Sequence, residues 1–363
     1  MQTPPPHPQP LYDQKVIYSN FIDSLKSPKT KEKYAYFLKS FMQFHRIEKE
    51  DYAALFADPD QKIKDYLIAA SKRDLSKSHF CIMISALKNF YQMNDFDDIK
   101  WNKLKRFIGE TKPKHKDRAY THDQILTLVQ GAPSLKMKAM ILLMASSGIR
   151  RSAIPNLKIF HLEKVGCLYK ISVYEGLKGQ GHYITYCSPE AAKQIDAYLE
   201  FRKRCGEPIT KDSPLFRKDF DSKFHVAARK NIKSVTAESI TTNFHRLLLE
   251  TGLKEIDHVN PKNRKDVKMT HGFRKFFITQ LVNTDIHEVI IKKLSGHKPN
   301  EDMTFNYSSQ TDEELLQEYE KAIDVLTIDP ANRLRKKVEK LEVEKNSYES
   351  LAAEIELLKK KIK

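Results

Sequence analysis

Apolar residues recur at three- and four-residue steps over most of the chain, a pattern that predicts a mainly helical protein. Between residues 11 and 110 the pattern runs on with almost no glycine or proline, as is typical of a small helical bundle. Thr30 is the predicted N-cap of a first helix, a second helix is expected near 61–70, and a third near 77–93. We therefore expect an independent helical domain at 11–110.

The helical pattern resumes at residue 120 and gives way once to alternation with a period of two. Residues 168–174 and 182–187 alternate and are rich in β-branched and aromatic side chains, with three glycines between them. This indicates a β-hairpin with a glycine-rich tip. Further helices are expected at 189–204, 237–251, 270–282, 285–294 (capped by Asp285) and 311–326. The fold class predicted for 120–328 is thus a mixed α/β domain, mainly α with a small antiparallel sheet.

The last segment, 329–363, has a seven-residue repeat instead. Two interrupting lysines, Lys345 and Lys359, stand in its second apolar row, which otherwise holds Val338 and Ala352. The first row consists of Leu334, Leu341, Tyr348, Ile355 and Ile362. The repeat predicts a coiled-coil-like helix that could support self-association through 331–363. A lone amphipathic helix packed on its own domain is the open alternative.

The N-terminal residues, the length of the apolar stretches and the cysteine spacing exclude several classes of protein. Residues 1–10 are proline-rich, so a disordered lead-in is expected rather than a secretory signal. No apolar stretch reaches the roughly 18 residues that a membrane helix needs. The four cysteines show no C-x-x-C spacing, which argues against a zinc site or a disulfide framework. These features predict a soluble, reduced, cytoplasmic protein.

Positive charge is in excess. Lys and Arg number 63 against 47 Asp and Glu, a formal net charge of +16, which favours an anionic polymer as partner. Residues 100–118 hold eight basic residues against two acidic ones, so the predicted linker at 111–119 would lie along a polyanion. A merely solvated run of charge is the alternative. The candidate residues for binding such a polyanion are Lys103, Lys105, Arg106, Lys112, Lys114, Lys116, Lys262, Arg264 and Lys265.

Motifs for nucleotide hydrolysis, zinc proteolysis and serine hydrolysis are missing from the sequence, so neither a cofactor nor a metal is expected. Instead, five cationic or imidazole residues and one tyrosine stand at turns or within apolar helices. In chain order they are Arg150, Lys178, His271, Arg274, His297 and Tyr307. Each alone is weak, since helix-capping arginines, core histidines and solvated lysines are common. Their joint order is the informative signal.

In that order the residues resemble the tyrosine recombinase (phage integrase) family. Gly148-Ile-Arg150 looks like its first arginine box, His271-Gly-Phe-Arg274 like the second, and Leu294-Ser-Gly-His297 like the third. Lys178 matches the family's hairpin lysine, and Tyr307, 33 residues after Arg274, stands where the family keeps its nucleophile. The resemblance covers 120–326 and extends weakly to 12–110, which is similar to the family's core-binding domain.

The resemblance implies cleavage and rejoining of DNA strands through a 3′-phosphotyrosine. Two guanidiniums can grip the phosphate oxygens, and His297 would donate a further hydrogen bond. Tyr307 would attack phosphorus, with His271 as base and Lys178 protonating the 5′-oxygen; Tyr319 is the next tyrosine in line. Duplex DNA is the implied partner, with a homo-tetramer assembled on it near the nucleoid.

A mobile-element integrase is the favoured biological role. The alternatives are a recombinase that resolves chromosome dimers, a type IB-like topoisomerase, and a non-catalytic DNA-binding protein on a recombinase scaffold. The last is suggested by one departure: the family carries an acid three residues after the first arginine, and here that residue is Ala153. Arg151, next to Arg150, also leaves open which arginine faces the phosphate.

Overall fold

The computed structural model describes residues 13–73, 75–107, 118–177, 181–254, 269–297 and 310–362. The chain divides into two compact units, residues 1–114 and 115–363. Each unit has its own hydrophobic core. The predicted lead-in at 1–10 and most of the predicted linker lie outside the described residues.

The first unit is all-helical in its described part. Its second helix begins at Pro28, and the N-cap position is Ser27, three residues before the predicted cap, so the expectation for Thr30 was wrong. Ser76 caps the fourth helix by accepting a hydrogen bond from the His79 amide. The helices are α1 (Gln14–Asp23), α2 (Pro28–Phe44), α3 (Pro59–Ser71), α4 (Lys77–Gln92) and α5 (Trp101–Leu104), with 3₁₀ turns at Ala53–Phe56 and Lys105–Phe107.

Aromatic side chains fill the centre of this unit. Phe21, Phe41, Phe90 and Tyr91 are fully buried, and the Tyr91 hydroxyl donates to the Leu55 carbonyl at 3.0 Å. Burial of this many large apolar side chains, at about 1.5–3 kcal/mol each, accounts for a bundle that holds together on its own. The three- and four-residue spacing seen in the sequence is what places them on the inner faces of α1, α2 and α4.

The second unit is built around α7 (Leu135–Ser147), which is apolar on nearly all sides and buried along almost its whole length. The helix ends at Gly148, whose φ of +60° is a conformation that favours glycine. A Cβ at Gly148 would overlap the ring of Phe277, so the missing side chain lets a neighbouring helix come close. The helices around α7 are α6 (His122–Gly131), α8 (Pro189–Arg204), α9 (His225–Arg229), α10 (Ala237–Glu250), α11 (Met269–Val282), α12 (Glu288–Leu294), α13 (Asp312–Glu320) and α14 (Ile323–Leu326).

A three-stranded antiparallel sheet lies against α7 and α12, in the order β1 (Leu162–Val165), β2 (Leu168–Val173) and β3 (Tyr183–Cys187). The two predicted strands are confirmed, whereas β1 was missed because its four residues are too few for a clear alternation. Thr185 on β3 donates to the Ser147 carbonyl at 3.1 Å and so ties the sheet to the end of α7.

Two predicted helix limits were wrong. The segment expected to form one helix at 311–326 is divided into α13 and α14. His287, not Asp285, caps α12, because its side chain accepts from the Val289 amide.

The tail forms one long helix, α15 (Pro330–Ile362). Its start is fixed to α8, because the Glu190 carboxylate accepts hydrogen bonds from the Ile328 and Asp329 amides and from the Asn332 side chain, at 2.8–3.1 Å. Farther along, Leu334, Leu341, Tyr348 and Ile355 are all more than half exposed. The helix is thus seen, while the coiled coil stays a prediction. None of the described helices is both long and apolar enough to cross a bilayer.

Candidate active site

Arg274 lies on the buried face of α11, one turn from its start, and is only 5% exposed. Its Nη1 donates to the carbonyl of Gly148 at 2.8 Å, so the turn after α7 holds this guanidinium in place. Its Nη2 is buried and has no hydrogen-bond partner among the described residues. Burial and the charge of Arg150 lower the pKa of Arg274 to about 10, which leaves it charged at neutral pH.

Arg150 follows Gly148 in the irregular segment after α7 and is half-buried. Its positive charge acts on both Arg274 and His297, which places the three side chains in one cluster. The adjacent Arg151 points elsewhere, and its guanidinium donates to the Thr241 hydroxyl on α10. The structure therefore distinguishes the two arginines, and Arg150 is the one beside Arg274.

His297 follows α12 after a turn at Gly296 and is exposed. Ser295 donates to the Ile291 carbonyl at 2.6 Å, and its Oγ lies 2.7 Å from His297 Nδ1. Because the serine proton is used in this way, Nδ1 is the nitrogen that donates to Oγ, which leaves Nε2 as the acceptor of the neutral ring. Burial and the charges of Arg274, Arg150 and Lys292 lower the pKa of His297, so the free imidazole is neutral at pH 7.

His271 is exposed near the start of α11, one turn before the buried Arg274. Two other predicted residues fall outside the described part of the chain: Lys178, in the connection from β2 to β3, and Tyr307, between His297 and Gln310. The same holds for Lys112, Lys114, Lys116, Lys262, Arg264 and Lys265. Lys103, Lys105 and Arg106 are described and are exposed at α5 and the following turn. The roles given to all these residues remain predictions.

The position of the missing acid is occupied by apolar core. Ala153 is fully buried, and its amide donates to the Arg150 carbonyl at 2.8 Å. Within the described ranges, neither Arg150 nor Arg274 forms an ion pair with a carboxylate. The guanidinium pair is therefore a site of positive charge without a counter-charge from those parts of the chain.

Sequence reasoning missed two tyrosines beside this pair. Tyr183 starts β3, and its hydroxyl is buried next to Arg274 and Arg150, whose charges oppose the rise of its pKa to about 12 on burial. Tyr174, at the end of β2, lies 6.3 Å from Tyr183 between ring centroids. The alternation of β3 could have signalled the first, because it places residues 183 and 185 on the face that meets the end of α7.

Tyr319, the next tyrosine after Tyr307, is a structural residue. It is fully buried on α13 and its hydroxyl donates to the Ser146 carbonyl at 2.8 Å. Burial raises its pKa well above the ordinary value. A side chain held in this way cannot reach a DNA phosphate without disruption of the core.

The side chains at the end of α7 suit an anion rather than a metal ion. No group of three or more His, Cys, Asp or Glu side chains that could hold an ion occurs in the described ranges. The polar cluster formed by Arg150, Arg274 and His297 offers forked cationic donors instead.

Known proteins that are similar to this chain in sequence or in fold are recombinases and an integrase. The chain is 26% identical over 303 residues to the tyrosine recombinase XerA of Pyrococcus horikoshii, covering 84% of this chain and 90% of that one. The fold is similar to the Tn1549 transposon integrase in complex with transposon right-end DNA, at a TM-score of 0.56 and 18% identity, over 85% of this chain and 98% of that one. It is also similar to the XerH recombinase bound to its difH substrate, at a TM-score of 0.50 and 17% identity, over 79% of this chain and 78% of that one.

The family profile decides the assignment. The sequence profile of the phage integrase family matches residues 118–314, more than half of the chain. This segment contains the arginine pair, the sheet and His297. The chain therefore belongs to the phage integrase family and is a tyrosine recombinase.

Proposed function

We propose that this recombinase cleaves a DNA strand with Tyr307 and holds the scissile phosphate between Arg150 and Arg274. The carrying observation is the guanidinium pair, which lies beside His297 and has no carboxylate partner among the described residues. Phosphodiester oxygens match the forked donors of arginine and supply the negative charge that the cluster lacks.

The chemistry follows from these groups. The Tyr307 oxygen forms a bond to phosphorus, and the bond from phosphorus to the 5′-oxygen breaks. His271 takes the phenol proton and Lys178 gives one to the leaving oxygen. The two guanidiniums stabilise the charge that builds up on the non-bridging oxygens. The 3′-phosphotyrosine keeps the ester bond, so rejoining needs no nucleotide hydrolysis.

A nicked suicide substrate tests the nucleophile. Tyr307→Phe should bind DNA with unchanged affinity and form no covalent adduct on a denaturing gel. Tyr36→Phe, which changes an exposed tyrosine of α2, is the matched control and should form the adduct as the natural protein does. An adduct in Tyr307→Phe would refute the assignment, and no adduct in any variant would favour the non-catalytic alternative.

We infer that the exchange serves a mobile element. Support comes from the transposon integrase among the structural neighbours and from the tail, which lies outside the matched segment. An assay on supercoiled plasmids separates this role from the topoisomerase alternative. A recombinase should exchange strands between two copies of a specific site, whereas a topoisomerase should relax any supercoiled plasmid. Sequencing the DNA that flanks the gene for a repeated attachment site separates it from chromosome-dimer resolution.

DNA binding would use the basic residues of the first unit together with those predicted near the linker and at 262–265. Lys103, Lys105 and Arg106 are exposed while Trp101 and Leu104, which share the segment, are buried, so the basic side chains form its outer face. Each lysine that neutralises a phosphate adds about 0.9 to the slope of log affinity against log salt. Replacing all three residues by alanine should therefore flatten the slope by about two to three.

We also propose that copies assemble as a tetramer on DNA and that α15 pairs with a second copy. Its first apolar row is exposed along four successive heptads, and Glu190 holds its start at a fixed place. Sedimentation of Leu341→Glu/Ile355→Glu should show a smaller assembly than the natural protein. Val343→Glu is the control, because Val343 is exposed off that row. Equal assembly in all three proteins would leave α15 as a solitary helix.

A further inference from the structure

Tyr183 occupies a position that the proposed chemistry has not used. Its hydroxyl is buried beside the Arg274 guanidinium, within reach of the charge of Arg150. Neither this hydroxyl nor Arg274 Nη2 makes a hydrogen bond of good geometry with a described residue. The hydroxyl instead meets Arg274 in a hydrogen bond of poor geometry. An imperfectly satisfied buried hydroxyl costs up to about 1–3 kcal/mol, which a phenylalanine would avoid.

The ring of Tyr183 is fixed by its surroundings. A Cβ on Gly296 would overlap the ring, so this glycine, with φ of +60°, lets the ring lie directly on the turn before His297. The Tyr174 ring meets the Tyr183 ring edge-on, and the Tyr174 hydroxyl lies 3.2 Å from Ser152 Oγ, two residues after Arg150. Tyr183 thus contacts or faces the segments that carry Arg150, Arg274 and His297.

The two guanidiniums of the arginine pair carry the same charge, so their repulsion opposes the arrangement in which they lie side by side. Arg150 and Arg274 repel one another, and the family's usual acid is replaced by the buried Ala153. The Gly148 carbonyl fixes only one side of the Arg274 guanidinium. Tyr183 favours the charged form of Arg274, both electrostatically and through a hydrogen bond between the two side chains.

We propose that Tyr183 is a positioning residue that holds Arg274 for phosphate binding in a site without the usual acid. The idea rests on the proposed function, since it assigns how that function's arginine is kept in place. Tyr183 is not itself the nucleophile: its hydroxyl is shielded, its ring is fixed on a strand, and burial raises its pKa to about 12.

The test compares Tyr183→Phe with Tyr186→Phe. Tyr186 is on the same strand, and its hydroxyl donates to the Asp312 carbonyl at 2.7 Å, away from the arginine pair. With saturating suicide substrate, Tyr183→Phe should cleave about 10-fold more slowly, since misplacement by about 1 Å can cost about 100-fold. Its affinity for DNA should be unchanged and its melting temperature equal or higher. Tyr186→Phe should cleave at the natural rate and melt at a lower temperature.

A double-mutant comparison tests whether Tyr183 acts through Arg274. If it does, adding Tyr183→Phe to Arg274→Lys should slow cleavage by less than about 2-fold further, because coupled residues are not additive. Full multiplication of the two effects would overturn the proposal. So would a melting temperature that falls in proportion to the rate, as a purely structural residue would give.

The outcomes separate this proposal from the function on which it rests. Natural cleavage rates in Tyr183→Phe, with no adduct in Tyr307→Phe, would overturn the role of Tyr183 and leave the proposed function standing. An adduct in Tyr307→Phe that is lost in Tyr183→Phe would overturn both, because Tyr183 would then be the nucleophile.

Discussion

The second unit contains two arginine clusters that differ in their counter-charge. In the first, Arg202 and Arg217 are buried on both sides of Glu207, whose carboxylate accepts hydrogen bonds from both guanidiniums. Backbone carbonyls of residues 214, 215, 228 and 230 accept further ones. In the second, Arg274 donates a hydrogen bond to the Gly148 carbonyl, and neither Arg274 nor Arg150 pairs with a carboxylate among the described residues.

The two clusters therefore differ in the source of the negative charge that balances their guanidiniums. Burying a guanidinium is costly unless a partner compensates for the loss of water. Glu207 gives that compensation within the chain, so the first cluster joins α8 to the loops that follow it and is structural. The second cluster keeps its charge uncompensated over the described residues, which is what a site for a phosphate requires.

The largest expected effect is a loss of folding stability when the negative charge of the first cluster is removed. Glu207→Ala leaves two buried guanidiniums unpaired and should destabilise the second unit by about 3–5 kcal/mol. Urea unfolding followed by circular dichroism measures this. Asp212→Ala, which removes an exposed partner of Lys158, should cost at most about 1 kcal/mol. Equal losses would mean that Glu207 is not the partner that holds this cluster.

A slightly smaller effect is expected from a change in the second cluster. Arg274→Lys keeps the charge but loses the fork that spans the Gly148 carbonyl and the phosphate, so cleavage should slow by about 100-fold with little change in stability. Single-turnover cleavage of the suicide substrate measures the rate. Arg151→Lys, at the arginine bound to Thr241, is the control and should cleave nearly normally. If the control were slowed equally, the choice of Arg150 over Arg151 would be wrong.

The smallest effect is a pH dependence of DNA binding through His297. Burial and the neighbouring cations lower the pKa of the free imidazole, whereas a bound phosphate offsets those cations and raises it. The complex then holds a proton that the free protein lacks, so binding should tighten as the pH falls from about 8 to about 5, by about tenfold for each unit by which the pKa rises.

DNA affinity is measured as a function of pH for each variant. His297→Gln should lose the part of the pH dependence that comes from protonation of His297. His225→Gln, at a histidine that packs over Gly206, should retain it. A slope that is identical in both variants and the natural protein would show that His297 takes up no proton on binding.

Much of the fold and of the cluster could be predicted from the sequence, because both depend on local patterns. The 3.6-residue period predicted most of the longer helices, although not α1, and the glycines near Arg150 and His297 marked the turns that carry them. The limits at Thr30 and Asp285 were wrong because several polar residues near each helix start can act as the cap, and packing decides among them.

What the sequence did not disclose depends on contacts between distant segments. The separate roles of Arg150 and Arg151 become clear only from Thr241, 90 residues farther along. Tyr183 was missed because its place beside Arg274 is set by the packing of β3 on the end of α7 and on Gly296. The alternation of β3 gives the face on which Tyr183 lies, but no periodicity or motif gives the distant side chain that it meets there.

The most direct measurement is the identity of the tyrosine that becomes linked to DNA. The adduct trapped on a suicide substrate is digested with trypsin and nuclease, and the peptide carrying the phosphonucleotide is sequenced by tandem mass spectrometry. The account predicts the modified residue to be Tyr307. Modification of Tyr183 or Tyr319 instead would contradict it, since each of those hydroxyls is buried and faces the protein's own groups.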